Sequence, residues 1–239
     1  MKTAALMVLG YLVGSIPFAL VIGKVFYHKD VRQYGSGNLG GGNTGRVLGK
    51  KAGLSVMALD LLKVSLVALL AKLLTGDDTA VAMACLAAGI GHCFPVFAHF
   101  KGGKAVAAMY GYLFGLVTAA GRSPLYFFLP LAVFLIVIFF SKIIALASIV
   151  SAAAVTAYVW WQPEILSVRL VLLVFALLIL VRHRPNLERM LRHEESKVKW
   201  VPDLGGRAGK KEKEGRKECG CIFAPGAGTI VTVHALSRA

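Results

Sequence analysis

The chain has few acidic residues and few charges of any kind for its length. Only 12 of its 239 residues are Asp or Glu, against 27 Lys and Arg, and charged residues make up 16% of the sequence. Hydrophobic residues make up 57% and the mean hydropathy is +0.69, which is too apolar for a soluble domain of this size. The net charge of +15 must then sit in basic loops between apolar spans, a pattern that suits anionic lipid headgroups better than nucleic acid.

Cysteine is also scarce and follows no recognisable pattern. The four cysteines are Cys85, Cys93, Cys219 and Cys221. Their spacing matches neither a metal site nor a disulfide framework, so we expect no metal and no cofactor. The N-terminus becomes apolar almost at once and lacks a small-residue cleavage site, which indicates a retained helix instead of a cleaved signal peptide.

Long apolar runs occupy most of the chain. A membrane helix needs about 20 apolar residues, and about seven candidate spans occur. They are roughly residues 4–26, 53–74, 79–97, 105–121, 124–140, 143–161 and 166–182. The sequence therefore predicts an all-α, polytopic integral membrane protein. Lys and Arg concentrate in alternate connections, which predicts an N-terminus outside and a C-terminus in the cytoplasm.

The C-terminal residues differ in composition from the rest. Residues 205–239 begin with a charged, glycine-rich stretch that predicts a basic, disordered tail. Residues 1–204 are the predicted membrane domain.

Three glycine- and base-rich segments interrupt the apolar pattern, each next to a candidate span. In the first, Tyr34–Arg46, glycines alternate with short polar side chains. Glycine permits positive φ and close backbone approach, and the planar donors of Arg46 match paired phosphate oxygens. A flexible helix connection is the alternative, but we favour a phosphate-binding loop.

The second segment is Gly91–Lys104, which ends in Lys101-Gly102-Gly103-Lys104 just before the fourth span. Its amides are expected at a helix N-terminus, where the helix dipole also favours an anion. A positive-inside anchor explains the lysines equally well. His92 is more often a hydrogen-bonded structural residue than a catalytic one.

The third segment, Arg182–Arg189, contains His183 and Asn186. If the last span continues as a helix, residues 182, 186 and 189 share a face; Pro185 instead favours a bend. A juxtamembrane basic belt is the alternative, although it requires neither His183 nor Asn186.

Two further polar features lie inside candidate spans. Asp60 and Lys63 stand at i, i+3 spacing near the cytoplasmic end of the second span, which predicts a mutual salt bridge and a secondary role in holding the glycine loop. Ser148 is able to donate to a headgroup, but a bond to its own helix backbone is favoured.

At these residues the chain resembles the bacterial membrane-integral acylphosphate:glycerol-3-phosphate acyltransferases, the PlsY family. The similarity runs from the first span to about Arg192, with the motifs in order. The matching segments are Gly35–Asn38 with Asn43 and Arg46, Asp60–Lys63, Gly91-His92 with Phe94-Pro95, Phe100–Lys104, and His183 with Asn186 and Arg189. Two positions depart from the family pattern: Gly41-Gly42 replace the usual Ala-Thr, and Ala105 replaces the usual glycine.

The resemblance implies transfer of a fatty acyl group from acyl phosphate to the 1-hydroxyl of glycerol 3-phosphate, giving lysophosphatidic acid. It also implies a bacterial cell membrane location with the site on the cytoplasmic face. Acyl phosphate, glycerol 3-phosphate and membrane lipid are the expected partners, and nucleic acid is not. Because acyl phosphate is an activated anhydride, the site must mainly orient two anions and stabilise the developing oxyanion.

The resemblance, together with side-chain chemistry, also suggests individual roles. The residues expected near the reacting groups are Ser36, His183 and Asn186. Those expected to bind phosphate or shape its loop are Gly35, Gly37, Asn38, Asn43, Arg46, Lys101, Gly102, Gly103, Lys104, Ser148 and Arg189. Asp60, Lys63 and His92 are expected to support them. Whether His183 is a base or only a hydrogen-bond donor stays open, because a substrate phosphate with a second pKa of about 6 can accept the proton.

Other functions fit the sequence less well. The second glycerol-phosphate acyltransferase class needs a His-x-x-x-x-Asp pair, and the nearest match here is His183 with Glu188. A transporter for a phosphorylated metabolite is the main alternative, although the chain shows no internal repeat and no polar midplane. A non-catalytic membrane subunit leaves the motifs unexplained.

Overall fold

The computed structural model describes residues 1–198, and every regular element in that range is a helix. The α-helices are α1 (Lys2–Gly14), α2 (Phe18–Tyr27), α3 (Gly41–Leu48), α4 (Lys50–Thr75), α5 (Asp78–Cys93), α6 (Val106–Thr118), α7 (Leu125–Ser141), α8 (Ile144–Trp161), α9 (Leu166–Arg182) and α10 (Arg184–Leu191). Short 3-10 turns cover Val31–Gln33 and Val96–Ala98. The all-α prediction is therefore confirmed for this range, and the predicted tail at 205–239 lies outside the described residues.

The apolar runs of the sequence all fall on helices of this bundle. In the described range, 4 segments are long and apolar enough to cross a membrane, and a bent pair raises that number to 5. The four are Lys2–Tyr27, Lys50–Thr75, Asp78–Ala98 and Ile144–Trp161, and the pair is α9 with α10. The apolar helices α6 and α7 are shorter. The span count of about seven and the orientation of the termini stay predictions.

The helical path is interrupted next to a proline at two places, within the first expected span and directly after the last one. The first ends as α1 at Gly14 and resumes as α2 at Phe18, directly after Pro17. The last changes direction by 52° between α9 and α10, where Pro185 occupies the first turn of α10. Proline lacks an amide hydrogen and disfavours helical backbone in the residue before it, so the helix is interrupted at both places.

Small residues let the central helices approach closely. Gly10 and Gly14 of α1 face α5, and a Cβ atom at either would collide with the carbonyl group of Ala84 or Ala88. Gly111 of α6 similarly faces the Leu61 carbonyl of α4. Contacts of this kind are typical of membrane helices, where packing replaces the hydrophobic effect as the driving force.

An ion-pair network closes the end of the bundle where α4 joins α5. Arg122 donates from Nε to Glu164 Oε2 at 2.7 Å and from a terminal nitrogen to Asp78 Oδ2 at 2.8 Å. Lys72 also reaches Asp78, at 2.6 Å, and Tyr126 donates its hydroxyl to Glu164 at 3.0 Å. The network ties together the α4–α5, α6–α7 and α8–α9 connections, and the glycine-rich segments lie at the other end of α5.

Candidate active site

The first segment forms a tight turn followed by a short helix. Gly35 and Gly37 adopt φ values of 61° and 66°, which favour glycine. Asn43, on the first turn of α3, accepts a hydrogen bond from the Ser36 amide at 2.8 Å. Its amide nitrogen donates to the carbonyls of Val31 and Tyr34 at 3.0 and 3.2 Å. Asn43 is 3% exposed and bonded within the loop, which confirms the expectation that it shapes the loop.

Helix α3 is held in place by backbone contact with α4. A Cβ atom at Gly53 of α4 would lie 2.7 Å from Gly45 Cα and 2.8 Å from the Gly41 carbonyl oxygen. At Gly41, an added Cβ would collide with Met57, whereas Gly42 faces open space. The departure from the family pattern at Gly41 therefore matches a methionine that fills the room an alanine needs. The helix presents Arg46 on its exposed side.

The second segment runs from the end of α5 to the start of α6. The Gly103 amide donates to the His92 carbonyl at 2.9 Å, and α6 begins only at Val106, with Ala105 as its N-cap. The Gly103 amide is thus satisfied inside the protein and does not point from a helix N-terminus. The expectation that this amide binds phosphate is wrong, because the chain needs it to close the loop against α5.

The carbonyls of Gly102 and Gly103 face the other two segments. Asn38 donates from Nδ2 to the Gly102 carbonyl at 3.2 Å. Arg182, at the end of α9, donates to the carbonyls of Gly102 and Gly103, each at 3.1 Å. Its guanidinium also lies 5.3 Å from the ring centre of Phe94. The Gly102–Gly103 peptide therefore joins all three segments.

Backbone strain concentrates in this second connection. His99, Phe100 and Ala105 have φ values of 53°, 58° and 62°, although none is glycine. Left-handed backbone costs an L-residue about 1 kcal/mol or more, and residues of this kind cluster at functional sites. Ala105 stands where the family usually has glycine, and the backbone explains that preference.

The third segment bends at His183, between α9 and α10. His183 is 3% exposed, and its Nδ1 lies 2.8 Å from the Ile179 carbonyl oxygen. A carbonyl only accepts, so Nδ1 carries the hydrogen of this bond and Nε2 is the acceptor in the neutral ring. Glu188, the residue at the offset of the rival acyltransferase class, pairs instead with Arg184 at 3.1 Å on the surface.

Beyond the bend, a chain of polar contacts starts at Lys104. Its ammonium donates to Asn186 Oδ1. Asn186 Nδ2 donates to Glu195 Oε1 at 2.6 Å, and Arg189 Nε donates to Glu195 Oε2 at 2.7 Å. Asn186 and the Glu195 side chain are only 6% and 5% exposed. The carboxylate therefore fixes Asn186, and Asn186 in turn meets the lysine.

The electrostatics of Lys104 reflect these surroundings. Burial lowers its pKa to about 8, opposed by the Glu195 carboxylate and assisted by the guanidinium groups of Arg189, Arg46 and Arg182. Three guanidinium groups thus act on this ammonium, against one carboxylate in the described part of the chain. Such an excess of positive charge favours a bound anion.

Three expected residues stand apart from these contacts. Lys101 is exposed, which agrees with the membrane-anchor alternative. Ser148 is fully buried and donates to the Ile144 carbonyl at 2.8 Å, which confirms the favoured backbone bond over the headgroup contact. Ser36 is exposed, and its hydroxyl makes no hydrogen bond within residues 1–198. Among the described residues, the Ser36 hydroxyl therefore stays free beside the loop.

The chain matches proteins of known class along most of its length. A model of the glycerol-3-phosphate acyltransferase family covers residues 4–193. The chain belongs to the glycerol-3-phosphate acyltransferase family. A member from Geobacillus kaustophilus is 42% identical over 198 residues, which cover 83% of this chain and 97% of that protein. A member from Streptococcus gordonii is 38% identical over 213 residues, covering 86% and 97%.

Two solved structures share the fold of this family member. The crystal structure of PlsY (YgiH), an integral membrane glycerol 3-phosphate acyltransferase, in its glycerol 3-phosphate form has a TM-score of 0.77 at 35% identity, covering 83% of this chain and 96% of that one. Its lysophosphatidic acid form has a TM-score of 0.73 at 34% identity, covering 82% and 95%. The resemblance to the PlsY family drawn from the motifs is confirmed.

For this glycerol-3-phosphate acyltransferase family member, motif reasoning missed two residues that organise the site. The sequence alone assigns no role to Glu195, because it follows another acid, Glu194, and nothing local shows which of the two turns inward. Arg182 belongs to a basic segment of the sequence, but two of its nitrogens donate to glycine carbonyls. The one sequence signal for Glu195 is the acidic pair Glu194-Glu195 within a basic stretch.

Proposed function

We propose that this protein transfers a fatty acyl group from acyl phosphate to the 1-hydroxyl of sn-glycerol 3-phosphate. The products are lysophosphatidic acid (1-acyl-glycerol 3-phosphate) and inorganic phosphate, the first step of phospholipid synthesis. The proposed setting is the cytoplasmic face of a bacterial cell membrane. No cofactor takes part in the proposed reaction.

One observation carries this proposal. The buried network from Lys104 through Asn186 to Glu195 lies beside a loop held by Asn38 and Arg182, so three segments of the chain meet around a surplus of positive charge. Two phosphorylated substrates that react together need such a surplus, because their mutual repulsion must be overcome before the hydroxyl reaches the carbonyl. A membrane fold supplies the apolar surface for the acyl chain.

In the proposed reaction, the 1-hydroxyl oxygen attacks the acyl carbonyl carbon, and the bond from that carbon to the phosphate oxygen breaks. The phosphate leaves with the bonding electrons, and a phosphate oxygen takes up the hydroxyl proton. Arg46 and Lys104 hold phosphate groups, while Ser36 and Asn186 are the proposed donors to the developing oxyanion. His183 orients the hydroxyl through Nε2, since its Nδ1 is already bound to Ile179.

The remaining sequence-predicted residues have supporting places in this proposal. Gly35 and Gly37 give the turn its positive φ values, and Asn38 links that turn to Gly102. Arg189 is paired with Glu195 and adds positive charge at the edge of the site. Lys101 contributes at most long-range attraction, because its side chain is exposed to solvent screening.

A donor-selectivity assay tests the proposal. Purified protein in detergent is given radiolabelled glycerol 3-phosphate with either palmitoyl phosphate or palmitoyl-CoA, and lysophosphatidic acid is measured. We expect product from palmitoyl phosphate alone. Efficient turnover with palmitoyl-CoA in the absence of acyl phosphate would contradict the proposed donor, and absence of product with both would contradict the proposed reaction.

A second arm addresses the transporter alternative. The protein is reconstituted in liposomes, and entry of labelled glycerol 3-phosphate is followed without any acyl donor. We expect no uptake above that of empty liposomes. Uptake without product formation in the first assay would favour transport.

A further inference from the structure

A cluster of charged and polar side chains lies buried in the bundle beneath the glycine–lysine loop. Lys63 Nζ is 2.7 Å from Asp60 Oδ1 and donates to the Ile16 carbonyl at 2.9 Å. His92 Nδ1 lies 3.5 Å from the same Asp60 oxygen. The side chains of Asp60, Lys63 and His92 are only 3%, 4% and 4% exposed. The salt bridge predicted from the i, i+3 spacing is thus confirmed, and it includes a histidine as a third member.

Such a cluster is costly, and stability alone explains it poorly. Charged side chains within membrane helices are expensive and usually mark a functional element. A buried ion pair is often no more stabilising than apolar residues of similar volume. A role in the site is therefore the better explanation if the cluster contacts something that the site uses.

His92 provides that contact. Its carbonyl accepts the Gly103 amide at 2.9 Å, and its imidazole lies against the Gly103 backbone, where an added Cβ would collide with Nε2. A Cβ at Gly102 would collide with the His92 carbonyl oxygen and the Pro95 ring. His92 therefore packs against both glycines. Asn38 and Arg182 hold the carbonyls of the same two glycines by hydrogen bonds.

We propose that Asp60, Lys63 and His92 act as one positioning unit that fixes where the Gly102-Gly103-Lys104 loop lies in the site. Asp60 holds the His92 ring, and the ring and carbonyl of His92 hold Gly103. The Lys104 ammonium thereby reaches the place where it meets Asn186 and a substrate phosphate. This inference rests on the function proposed above. None of the three residues touches a substrate; they act through the loop.

The test separates positioning from folding by removing both charges together. Asp60→Asn alone would leave a buried lysine without its carboxylate and would destabilise the protein. The double variant Asp60→Leu/Lys63→Met keeps the volume, removes both charges and leaves His92 without its partner. We expect membrane insertion and a melting temperature close to wild type. We also expect the KM for a phosphorylated substrate to rise about 10-fold or more, with a smaller change in kcat. This is the usual effect of losing a residue that positions a binding residue without touching the substrate.

A second variant keeps the inference testable if the double variant does not fold. His92→Phe retains an aromatic ring beside Gly103 and the Asp60–Lys63 pair, but loses the contact with Asp60. We expect a similar rise in KM. Combined with Asp60→Leu/Lys63→Met, it should add little, because both changes interrupt the same connection.

A matched control lies in the ion-pair network at the other end of the bundle. Arg122→Met/Glu164→Gln removes a partly buried pair of 2.7 Å, and we expect it to lower the melting temperature without changing either KM. Wild-type KM values in both test variants, or fully additive effects, would overturn the inference. Absence of product from the wild-type protein would instead overturn the proposed function, and with it this inference.

Discussion

Lys104 and Asn186 stand 82 residues apart in the chain, yet the lysine ammonium donates directly to the asparagine side-chain oxygen. The contact joins the loop before α6 to the helix after the bend at His183. Because Asn186 also donates to Glu195, the asparagine lies between the ammonium and the carboxylate. The lysine is therefore held in place without pairing directly with Glu195.

Removing the phosphate-binding cations should lower turnover sharply. We expect Lys104→Ala and Arg46→Ala each to reduce kcat/KM by about 10²-fold or more, the effect of losing charge-assisted contacts worth about 3 kcal/mol. Lys101→Ala is the matched control, because Lys101 is an exposed neighbour in the same loop. Near-normal kinetics in folded Lys104→Ala would reduce that residue to a topology anchor.

The rate should depend on pH through Lys104. Its pKa of about 8 lies below that of an ordinary lysine, so the free enzyme loses this positive charge as the pH rises above 8. We expect kcat/KM to fall along that limb, with kcat less affected, because a bound phosphate stabilises the ammonium. In Lys104→Arg the side chain stays charged and the limb should disappear, whereas Lys101→Arg should retain it. A limb unchanged in Lys104→Arg would assign the titration to another group.

Glu195 should matter although it carries charge of the same sign as the substrates. Its carboxylate orients Asn186 and pairs with Arg189, so Glu195→Gln should lower kcat/KM by about 10-fold or more, as for other outer supports of a site. Glu194→Gln is the control, because Glu194 is adjacent and exposed. A rise in activity of Glu195→Gln would show that the carboxylate mainly repels substrate.

The role of His183 can be read from two replacements. Asparagine can still donate to the Ile179 carbonyl, whereas alanine cannot, so His183→Asn should keep measurably more activity than His183→Ala. Its pH profile should keep the wild-type shape. If the histidine is instead a general base, both variants should lose about 10²–10⁴ in rate, and any ascending limb near a histidine pKa should vanish.

Relief of backbone strain should stabilise the protein at Ala105. Ala105 has φ 62°, so Ala105→Gly should raise the free energy of unfolding by about 1 kcal/mol. Thermal melting in detergent measures the change. Ala107→Gly, two residues further on within α6, should shift the melting temperature the other way, because glycine is unfavourable inside a helix. Equal shifts at both positions would show that the backbone at Ala105 is not strained.

Some features of the site could be predicted from local sequence patterns, and others could not. The turn at Gly35 and Gly37 and the Asp60–Lys63 pair follow from local rules, since glycine content and i, i+3 spacing act within a few residues. Asn43, Gly103 and Ser148 belong to the residues expected to bind phosphate or shape its loop, and the structure bonds each of them internally. Their residue types permit either use. Which partner a buried amide or hydroxyl finds depends on neighbours that the local sequence does not specify.

The sequence by itself determined the apolar helical character of the chain, the three polar segments and, through them, the family. These properties depend on composition and short-range spacing, because the length of an apolar run and its helical period are set by neighbouring residues. Only the tertiary structure decided that Glu195 and not Glu194 turns inward, that Arg182 binds carbonyls, and that His92 lies under Gly103. Each of these contacts joins separate elements of the bundle, so it exists only once the helices have packed and every buried polar group has found its partner.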